Sequence, residues 1–229
     1  MLLCAVSRGG HAIESFFLPG PAGRIECLIK EPSSSGPFTG AALVCHPHPL
    51  FGGTLHNKVV HAAASALTGA GLPAMRFNFR GAGLSEGAHS GGKGEQEDVK
   101  VALDHLGGRY PGVPLLVAGY SFGAYVGLST CRPDLRVAGL IGIGLPVALY
   151  DFSFLLGCSA PLTLIQGDED QFGPLPLLIA LSARVPGGAS LMVVKGATHG
   201  FTGKLEELAL RVSDAIPTVF TRDPRPGPA

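Results

Sequence analysis

The amino-acid sequence has no excess of charge of either sign. Its 17 lysines and arginines are matched by 17 aspartates and glutamates, so the formal net charge at pH 7 is zero. The sequence also lacks a cluster of basic residues with interleaved aromatics, the pattern typical of a surface that binds nucleic acid. Because such a chain has no electrostatic attraction to nucleic acid or to an anionic membrane, we expect neither as a partner.

Long hydrophobic runs are absent as well. Glycine, proline or charge interrupts every apolar stretch before it reaches the length of a membrane span. The first residues, MLLCAVSRGGH, lack the charged segment and long apolar run of a secretory signal. We therefore expect a soluble protein with no membrane association.

No pair of cysteines has the CxxC spacing, and the number of cysteines is odd. The cysteines are Cys4, Cys27, Cys45, Cys131 and Cys158. Three of them lie in apolar stretches typical of a protein core. Because buried free thiols are ordinary in a reducing compartment, we expect a cytoplasmic protein.

The sequence does have apolar bulk, with 46% hydrophobic and 15% charged residues among its 229 positions. That composition excludes a disordered chain and suffices for one α/β domain with a continuous core. We predict a single domain over residues 1–220. A flexible tail is predicted over residues 221–229, where TRDPRPGPA is rich in proline and has no apolar period.

Short apolar segments typical of strands alternate with segments typical of helices. Strands are predicted at residues 24–30, 40–45, 73–79, 114–120, 137–143, 161–166 and 190–195. Helices are predicted at residues 57–68, 95–106, 122–130, 175–183 and 205–220. This alternation predicts an α/β fold, with a mostly parallel central sheet and helices on both faces. The active groups of such sheets lie in loops beyond the carboxyl ends of the strands.

One short motif indicates the chemistry. Gly119-Tyr120-Ser121-Phe122-Gly123 fits G-x-S-x-G, between an apolar strand and a predicted helix. In this motif the serine occupies a strained turn that only small neighbours permit, and the turn exposes the hydroxyl above the sheet. A chain with 34 glycines could contain the bare motif by chance. The strand before it and the helix after it therefore make Ser121 the candidate nucleophile.

A serine hydroxyl needs a base, and the base needs an orienting acid. Among the eight histidines, His199 lies in a loop between the last predicted strand and the last predicted helix. An acidic run, Asp168-Glu169-Asp170, follows the predicted strand at residues 161–166. A run of acids in a loop is usually only a solvated turn. This run becomes a candidate for the orienting acid because it comes after the serine and before the histidine in the chain.

These segments together resemble the α/β-hydrolase superfamily, in particular its small bacterial members without a lid domain. Residues 45–53 (CHPHPLFGG) look like the oxyanion loop of that group. Residues 76–85 (RFNFRGAGLS) look like its strand and loop before the second crossover helix. The nucleophile turn at residues 119–123 is followed by an acid and then a histidine, which is the order that the superfamily uses. The likeness extends from about residue 24 to residue 216 and implies an α/β-hydrolase fold.

The resemblance implies a catalytic triad of Ser121, Asp170 and His199. In that superfamily the acid commonly follows the glycine of its strand as G-x-x-D, which favours Asp170. Asp168 remains the rival, because geometry decides between the two acids.

The resemblance also implies an oxyanion hole, a pair of amides that bind the negatively charged oxygen formed during the reaction. One amide is that of Phe122, directly after the nucleophile. The other is implied at Leu50, with Phe51 as the neighbouring alternative. Pro47 and Pro49 have no N–H and cannot donate.

The connection at residues 145–159, where larger relatives insert a lid, is short. We therefore predict an open site without a lid, which suits small esters better than long lipids. Phe51, Tyr120 and Phe172 are predicted to line this site, although each could equally be a core residue.

Two further patterns do not indicate a cofactor. His46 and His48 form an H-x-H pair, but apart from Cys45 no ligand beside them completes a metal site. Residues 81–87 depart from the dinucleotide pattern G-x-G-x-x-G, because the third glycine comes one residue late. We expect neither a metal nor a nucleotide cofactor.

The function predicted from these residues is cleavage of small carboxylic esters through an acyl-enzyme on Ser121. Thioesterase, peptidase and acyltransferase activities use the same triad and stay open, as does a binding protein that has kept only the fold. We expect a small-molecule ester as the partner, and a monomer or a homodimer.

Overall fold

A computed structural model describes residues 13–33 and 38–220 of the chain. Its strands are β1 (Ile13–Gly20), β2 (Gly23–Lys30), β3 (Ala41–Cys45), β4 (Ala74–Phe77), β5 (Leu115–Tyr120), β6 (Val137–Ile143), β7 (Leu162–Gly167) and β8 (Ser190–Val194). Its α-helices are α1 (Lys58–Gly69), α2 (Lys93–Arg109), α3 (Phe122–Cys131), α4 (Leu175–Arg184) and α5 (Leu205–Phe220). Short 3₁₀ helices lie at Pro49–Phe51 and Ser153–Gly157. Cys4 and the predicted tail at 221–229 fall outside the described residues, and the single-domain boundary stays a prediction.

The strands of the described residues form one sheet in the order β1-β2-β4-β3-β5-β6-β7-β8. β1 pairs antiparallel with β2, and β2 with β4, while the remaining neighbours pair in parallel. Successive residues of a strand point to opposite faces, so β3 places Leu43 in one core and Val44 in the other. The core around Leu43 contains α2 and α3, and the core around Val44 contains α1 and α5. The predicted mostly parallel sheet with helices on both faces is confirmed.

Strand β1 is the one element of the sheet that the sequence pattern does not predict. In IESFFLPG two adjacent phenylalanines, Phe16 and Phe17, interrupt the alternation of apolar and polar residues. β1 lies at the edge of the sheet, and Leu18 is its one buried residue. An edge strand that buries so little carries a weak hydrophobic pattern, which explains why the pattern misses it.

The carboxyl ends of β3 and β5 and the start of α3 touch through their backbones. A Cβ atom on Gly119 would overlap the carbonyl oxygen of Gly123. A Cβ atom on Gly123 would in turn overlap the carbonyl oxygens of Cys45 and His46. Both positions therefore need glycine, which agrees with the steric reading of the G-x-S-x-G motif.

The connection from β6 to β7 contains one short 3₁₀ helix, Ser153–Gly157, and no inserted domain. The prediction of a fold without a lid is confirmed. The cysteines of the described residues are Cys27, Cys45, Cys131 and Cys158, and all four are buried. No helix within residues 13–33 and 38–220 is both long and apolar enough to span a membrane.

Candidate active site

Ser121 lies in the tight turn between β5 and α3. Its backbone angles are φ 56° and ψ −121°, a left-handed conformation that costs a residue other than glycine about 1–3 kcal/mol. The amide of Ser121 donates to the carbonyl oxygen of Ile143 at 2.9 Å. Its carbonyl oxygen accepts hydrogen bonds from the amides of Ala124 at 2.9 Å and Tyr125 at 3.2 Å. The strained turn is therefore held from the neighbouring strand and from the helix.

The structure brings His199 and Asp170 to this serine. Nε2 of His199 lies 2.9 Å from Oγ of Ser121, and Nδ1 of His199 lies 2.8 Å from Oδ2 of Asp170. The side chain of Asp170 has no exposed surface, whereas 17% of the His199 side chain is exposed. Because an ionised carboxylate only accepts hydrogen bonds, Nδ1 donates to Asp170 and Nε2 is left to accept from the serine hydroxyl.

A buried glutamine that the sequence analysis missed fixes the carboxylate. Nε2 of Gln166 donates to Oδ2 of Asp170 at 2.7 Å and to the carbonyl oxygen of Gly173 at 3.1 Å. Oε1 of Gln166 accepts from the amide of Leu145 at 2.8 Å, and the amide of Phe172 donates to Oδ1 of Asp170 at 2.9 Å. The signal in the sequence is a polar glutamine at the end of the apolar segment PLTLIQ. The structure shows it fully buried, and a buried polar side chain needs hydrogen-bond partners.

The rival acid, Asp168, points elsewhere. Asp168 is exposed, and its Oδ1 accepts a hydrogen bond from the amide of Gly196 at 2.6 Å. Asp168 therefore braces the loop that follows β8. Of the two acids, Asp170 is the one in contact with His199.

The loop after β3 lies beside the turn of Ser121 but does not offer the amide that the sequence indicates. The amide of Leu50 donates to Nδ1 of His48 at 3.2 Å, and the amide of Phe51 donates to the carbonyl oxygen of His48 at 3.1 Å. Both expected donors are therefore already engaged, and the structure does not support Leu50 or Phe51 in the oxyanion hole. The amide of Phe122, at the first position of α3, has no acceptor within the described residues.

The chain is similar in sequence and in fold to known proteins. A family model described as serine aminopeptidase, S33, matches residues 41–149. The solved structure of an α/β serine hydrolase homologue from Coxiella burnetii is 37% identical, with a TM-score of 0.82, over 88% of this chain and 96% of its own. XC6422 from Xanthomonas campestris, an α/β serine hydrolase without a lid, is 31% identical, with a TM-score of 0.84, over 95% of this chain and 99% of its own. The chain belongs to the α/β serine hydrolases.

A relative in Rickettsia prowazekii, the uncharacterized protein RP471, is 35% identical over 212 residues. The match covers 89% of this chain and 88% of the relative. The chain of this serine hydrolase is therefore similar to these relatives over nearly the whole of their length.

Tyr120 is not a wall of the site in this serine hydrolase, which corrects the sequence-based expectation. It is 5% exposed and packs in the core beneath α5. Its hydroxyl donates to the carbonyl oxygen of His199 at 2.9 Å. Burial and the nearby Asp170 carboxylate raise the pKa of Tyr120, so the hydroxyl remains a donor. Tyr120 positions the histidine loop instead of contacting a ligand.

The two phenylalanines expected to line the site lie at its surface. The ring of Phe172 is half-buried and lies edge-on to the imidazole of His199, with ring centres 4.9 Å apart. Phe51 is 86% exposed, and its ring centre lies 4.8 Å from that of His48. Their contact with a substrate stays a prediction.

His46 shapes the loop after β3 from the inside. It is fully buried, its Nε2 accepts from the amide of Phe79 at 2.9 Å, and its Nδ1 therefore donates to the carbonyl oxygen of Pro47 at 2.6 Å. Burial lowers the pKa of His46 from its ordinary value of 6.5 to about 4, although the bond to Pro47 opposes the shift. The ring is thus neutral when folded.

This shift predicts a loss of stability in mild acid. Between pH 6.5 and about pH 4 the unfolded chain binds a proton at His46 that the native chain excludes. Neutral His46 contributes its full stabilisation above pH 6.5. As the pH falls to about 4, the free energy of unfolding decreases by about 3 kcal/mol from this residue. Urea unfolding at a series of pH values should show a shallower slope for His46→Gln, which keeps a donor and an acceptor but cannot titrate.

Exposed His56 provides the control, since its ring is solvated in both states. His56→Gln should keep the wild-type dependence of the unfolding free energy on pH. A His46→Gln slope equal to that of the wild type would contradict the assignment.

Proposed function

We propose that this protein cleaves small carboxylic esters, with Ser121 as nucleophile, His199 as base and Asp170 as orienting acid. The proposal is carried by the unbroken line of contacts from the serine hydroxyl through the imidazole to a buried carboxylate. Each of these two contacts is below 3.0 Å, at 2.9 Å and 2.8 Å. That is within the reach needed for proton transfer.

In the proposed reaction Oγ of Ser121 attacks the acyl carbon while Nε2 of His199 takes the hydroxyl proton. Asp170 keeps the imidazole in the required tautomer and stabilises its positive charge. The imidazolium then returns the proton to the leaving alcohol, and an acyl-enzyme remains on Ser121. A water molecule, deprotonated by His199, attacks that ester, and the imidazolium returns the proton to Oγ of Ser121 as the acid is released.

The oxyanion of this reaction needs amide donors that no other group occupies. The amide of Phe122 meets this condition. In the loop after β3, Pro47 has no N–H, and the amides of Leu50 and Phe51 are engaged. The amide of His48 has no acceptor within the described residues, so we assign it as the second donor in place of Leu50. Such a donor typically contributes about 2.7–4 kcal/mol to the stabilisation of the transition state.

Small esters suit the site better than long lipids or peptides. The short connection from β6 to β7 supplies no lid that could enclose a long acyl chain. The matching family is described as serine aminopeptidase. An aminopeptidase must also bind the free ammonium group of its substrate. Asp170 and Glu95, the carboxylates that contact His199 and His89, are both buried behind these imidazoles. Neither is exposed to bind an ammonium group.

The proposal is tested with a panel in which one acyl group is presented as an aryl ester, a thioester and an anilide. We expect kcat/KM to be highest for the ester. A fluorophosphonate probe should label Ser121, located by mass spectrometry of the proteolytic peptides. Folded protein that takes no label would contradict the nucleophile, and faster cleavage of aminoacyl anilides than of esters would instead support a peptidase.

A further inference from the structure

A second histidine–carboxylate pair lies beside the proposed site, and the reaction above does not use it. His89 follows β4, and Glu95 lies in the first turn of α2. Nδ1 of His89 is 2.8 Å from Oε1 of Glu95, although its N–H does not point straight at that oxygen. Two unprotonated acceptor atoms at this distance would repel each other, so Nδ1 carries the proton. In the neutral ring Nε2 is then an acceptor.

Glu95 is held in place as a charged group. It has no exposed surface, and its oxygens accept from the amides of Ser90 and Gly92, each at 2.8 Å, and from the hydroxyl of Ser90 at 3.0 Å. Burial raises the pKa of Glu95, but these hydrogen bonds outweigh it and the net pKa lies below its ordinary value. The N-terminus of α2 favours the same negative charge. The negative charge of this carboxylate, 2.8 Å from Nδ1, therefore favours the His89 tautomer that has its proton on Nδ1.

His48 supplies the complementary group. Its ring centre lies 4.5 Å from that of His89 and 4.7 Å from that of Phe122. Because Nδ1 of His48 accepts the amide proton of Leu50, the proton of the neutral ring is on Nε2. Burial and the neighbouring His89 lower the pKa of His48, and Glu95 opposes this shift without reversing it. Because the net pKa lies below its ordinary value, the ring is neutral at pH 7. Nε2 of His48 is thus a donor.

The two imidazoles, one with a donor and one with an acceptor at Nε2, have ring centres 4.5 Å apart. Both rings pack against Phe122, the residue that directly follows Ser121. Within the described residues neither Nε2 atom has a protein partner. Polar nitrogens in a wall otherwise formed by aromatic rings are the kind of groups that orient a ligand in a pocket.

We propose that His48 and His89 form a subsite that binds a hydroxyl group of the substrate. Nε2–H of His48 donates to the hydroxyl oxygen, and Nε2 of His89 accepts its hydrogen. A hydroxyl satisfies both nitrogens, whereas an ammonium group has no acceptor for His48 and a carboxylate has no donor for His89. An alkyl group leaves both unpaired. This inference rests on the proposed ester hydrolysis and assigns its substrates to the hydroxylated esters.

The test compares phenyl esters of hydroxyalkanoic acids with esters in which a methyl group replaces the hydroxyl, over several chain lengths. At the best length we expect the wild type to prefer the hydroxylated ester by roughly tenfold or more in kcat/KM. His89→Phe keeps a ring against Phe122 but removes the acceptor, and the preference should fall to about one. The ratio of two substrates is a readout that a general disturbance of the fold does not move.

The matched control is His105→Phe. His105 also packs its ring against a phenylalanine, Phe16, with ring centres 4.9 Å apart, but on α2 where it faces β1. This variant should keep the wild-type ratio. The subsite would be overturned if the wild type showed equal kcat/KM for the hydroxylated and methyl esters at every chain length, or if His89→Phe left their ratio unchanged. The wild-type ratio is decisive even if the variant does not fold.

Failure of this inference is distinct from failure of the proposed function. Turnover of both esters without a hydroxyl preference removes the subsite and leaves the hydrolase mechanism intact. Absence of turnover on all esters, or full turnover by Ser121→Ala, removes the mechanism itself.

Discussion

Replacing Ser121 with alanine should lower kcat for ester hydrolysis by about 10⁴- to 10⁶-fold. The substitution removes the atom that forms the acyl-enzyme, and His199 Nε2 then has no hydroxyl to deprotonate. The free oxyanion amides account for the small residual rate over the uncatalysed reaction. Steady-state kinetics on the preferred aryl ester measures the loss, and labelling by the fluorophosphonate should disappear with it.

Ser182→Ala is the matched control for that loss. Ser182 is in α4, where its hydroxyl donates to the carbonyl oxygen of Ile179 at 3.0 Å and not to a residue of the proposed triad. The control should keep wild-type kinetics. A Ser121→Ala protein that retains a tenth or more of the wild-type kcat would show that another group carries the reaction.

Replacing Asp170 with asparagine should lower kcat by about 10⁴-fold with little change in the fold. An asparagine amide presents an N–H to Nδ1 of His199, so the imidazole turns its proton toward Ser121 and can no longer accept one. In the wild type Oδ2 of Asp170 also accepts a hydrogen bond from Nε2 of Gln166, so the substitution removes the charged partner of Gln166. The measurement is kcat over a range of pH, with far-ultraviolet circular dichroism as the check on folding.

Asp168→Asn distinguishes the two acids. It removes the same charge two residues away, in a side chain that braces Gly196 and does not contact the imidazole. We expect a small loss of stability and a kcat within a few fold of the wild type. If Asp168→Asn were the crippled variant and Asp170→Asn the active one, the assignment of the acid would be reversed.

The parts of the site that follow from sequence are those encoded by local chemistry. Gly119 and Gly123 are required by backbone contacts that no Cβ atom could share, so the turn around Ser121 is visible in five consecutive letters. The acid and the histidine follow the ends of successive strands, and parallel pairing brings those ends to one edge of the sheet. Spacing and order therefore suffice to select His199.

Other features depend on contacts between distant segments and leave no trace in the pattern. The amide of Leu50 is unavailable because the side chain of His48 turns back to accept it. Tyr120 looks like a wall residue beside the nucleophile, but its place in the strand points it into the core. The pairing of His48 with His89 joins two loops about forty residues apart, a proximity set by the order of β3 and β4 in the sheet.

The hydrogen bond from Tyr120 to the carbonyl oxygen of His199 has a mechanical consequence. Tyr120 is covalently bonded to Ser121, so the loop that carries the base is tied to the very segment that carries the nucleophile. A displacement of β5 then moves both reacting groups in the same direction and leaves the distance between them nearly constant. The geometry between Ser121 and His199 thus depends on the backbone of β5 as well as on the two side chains.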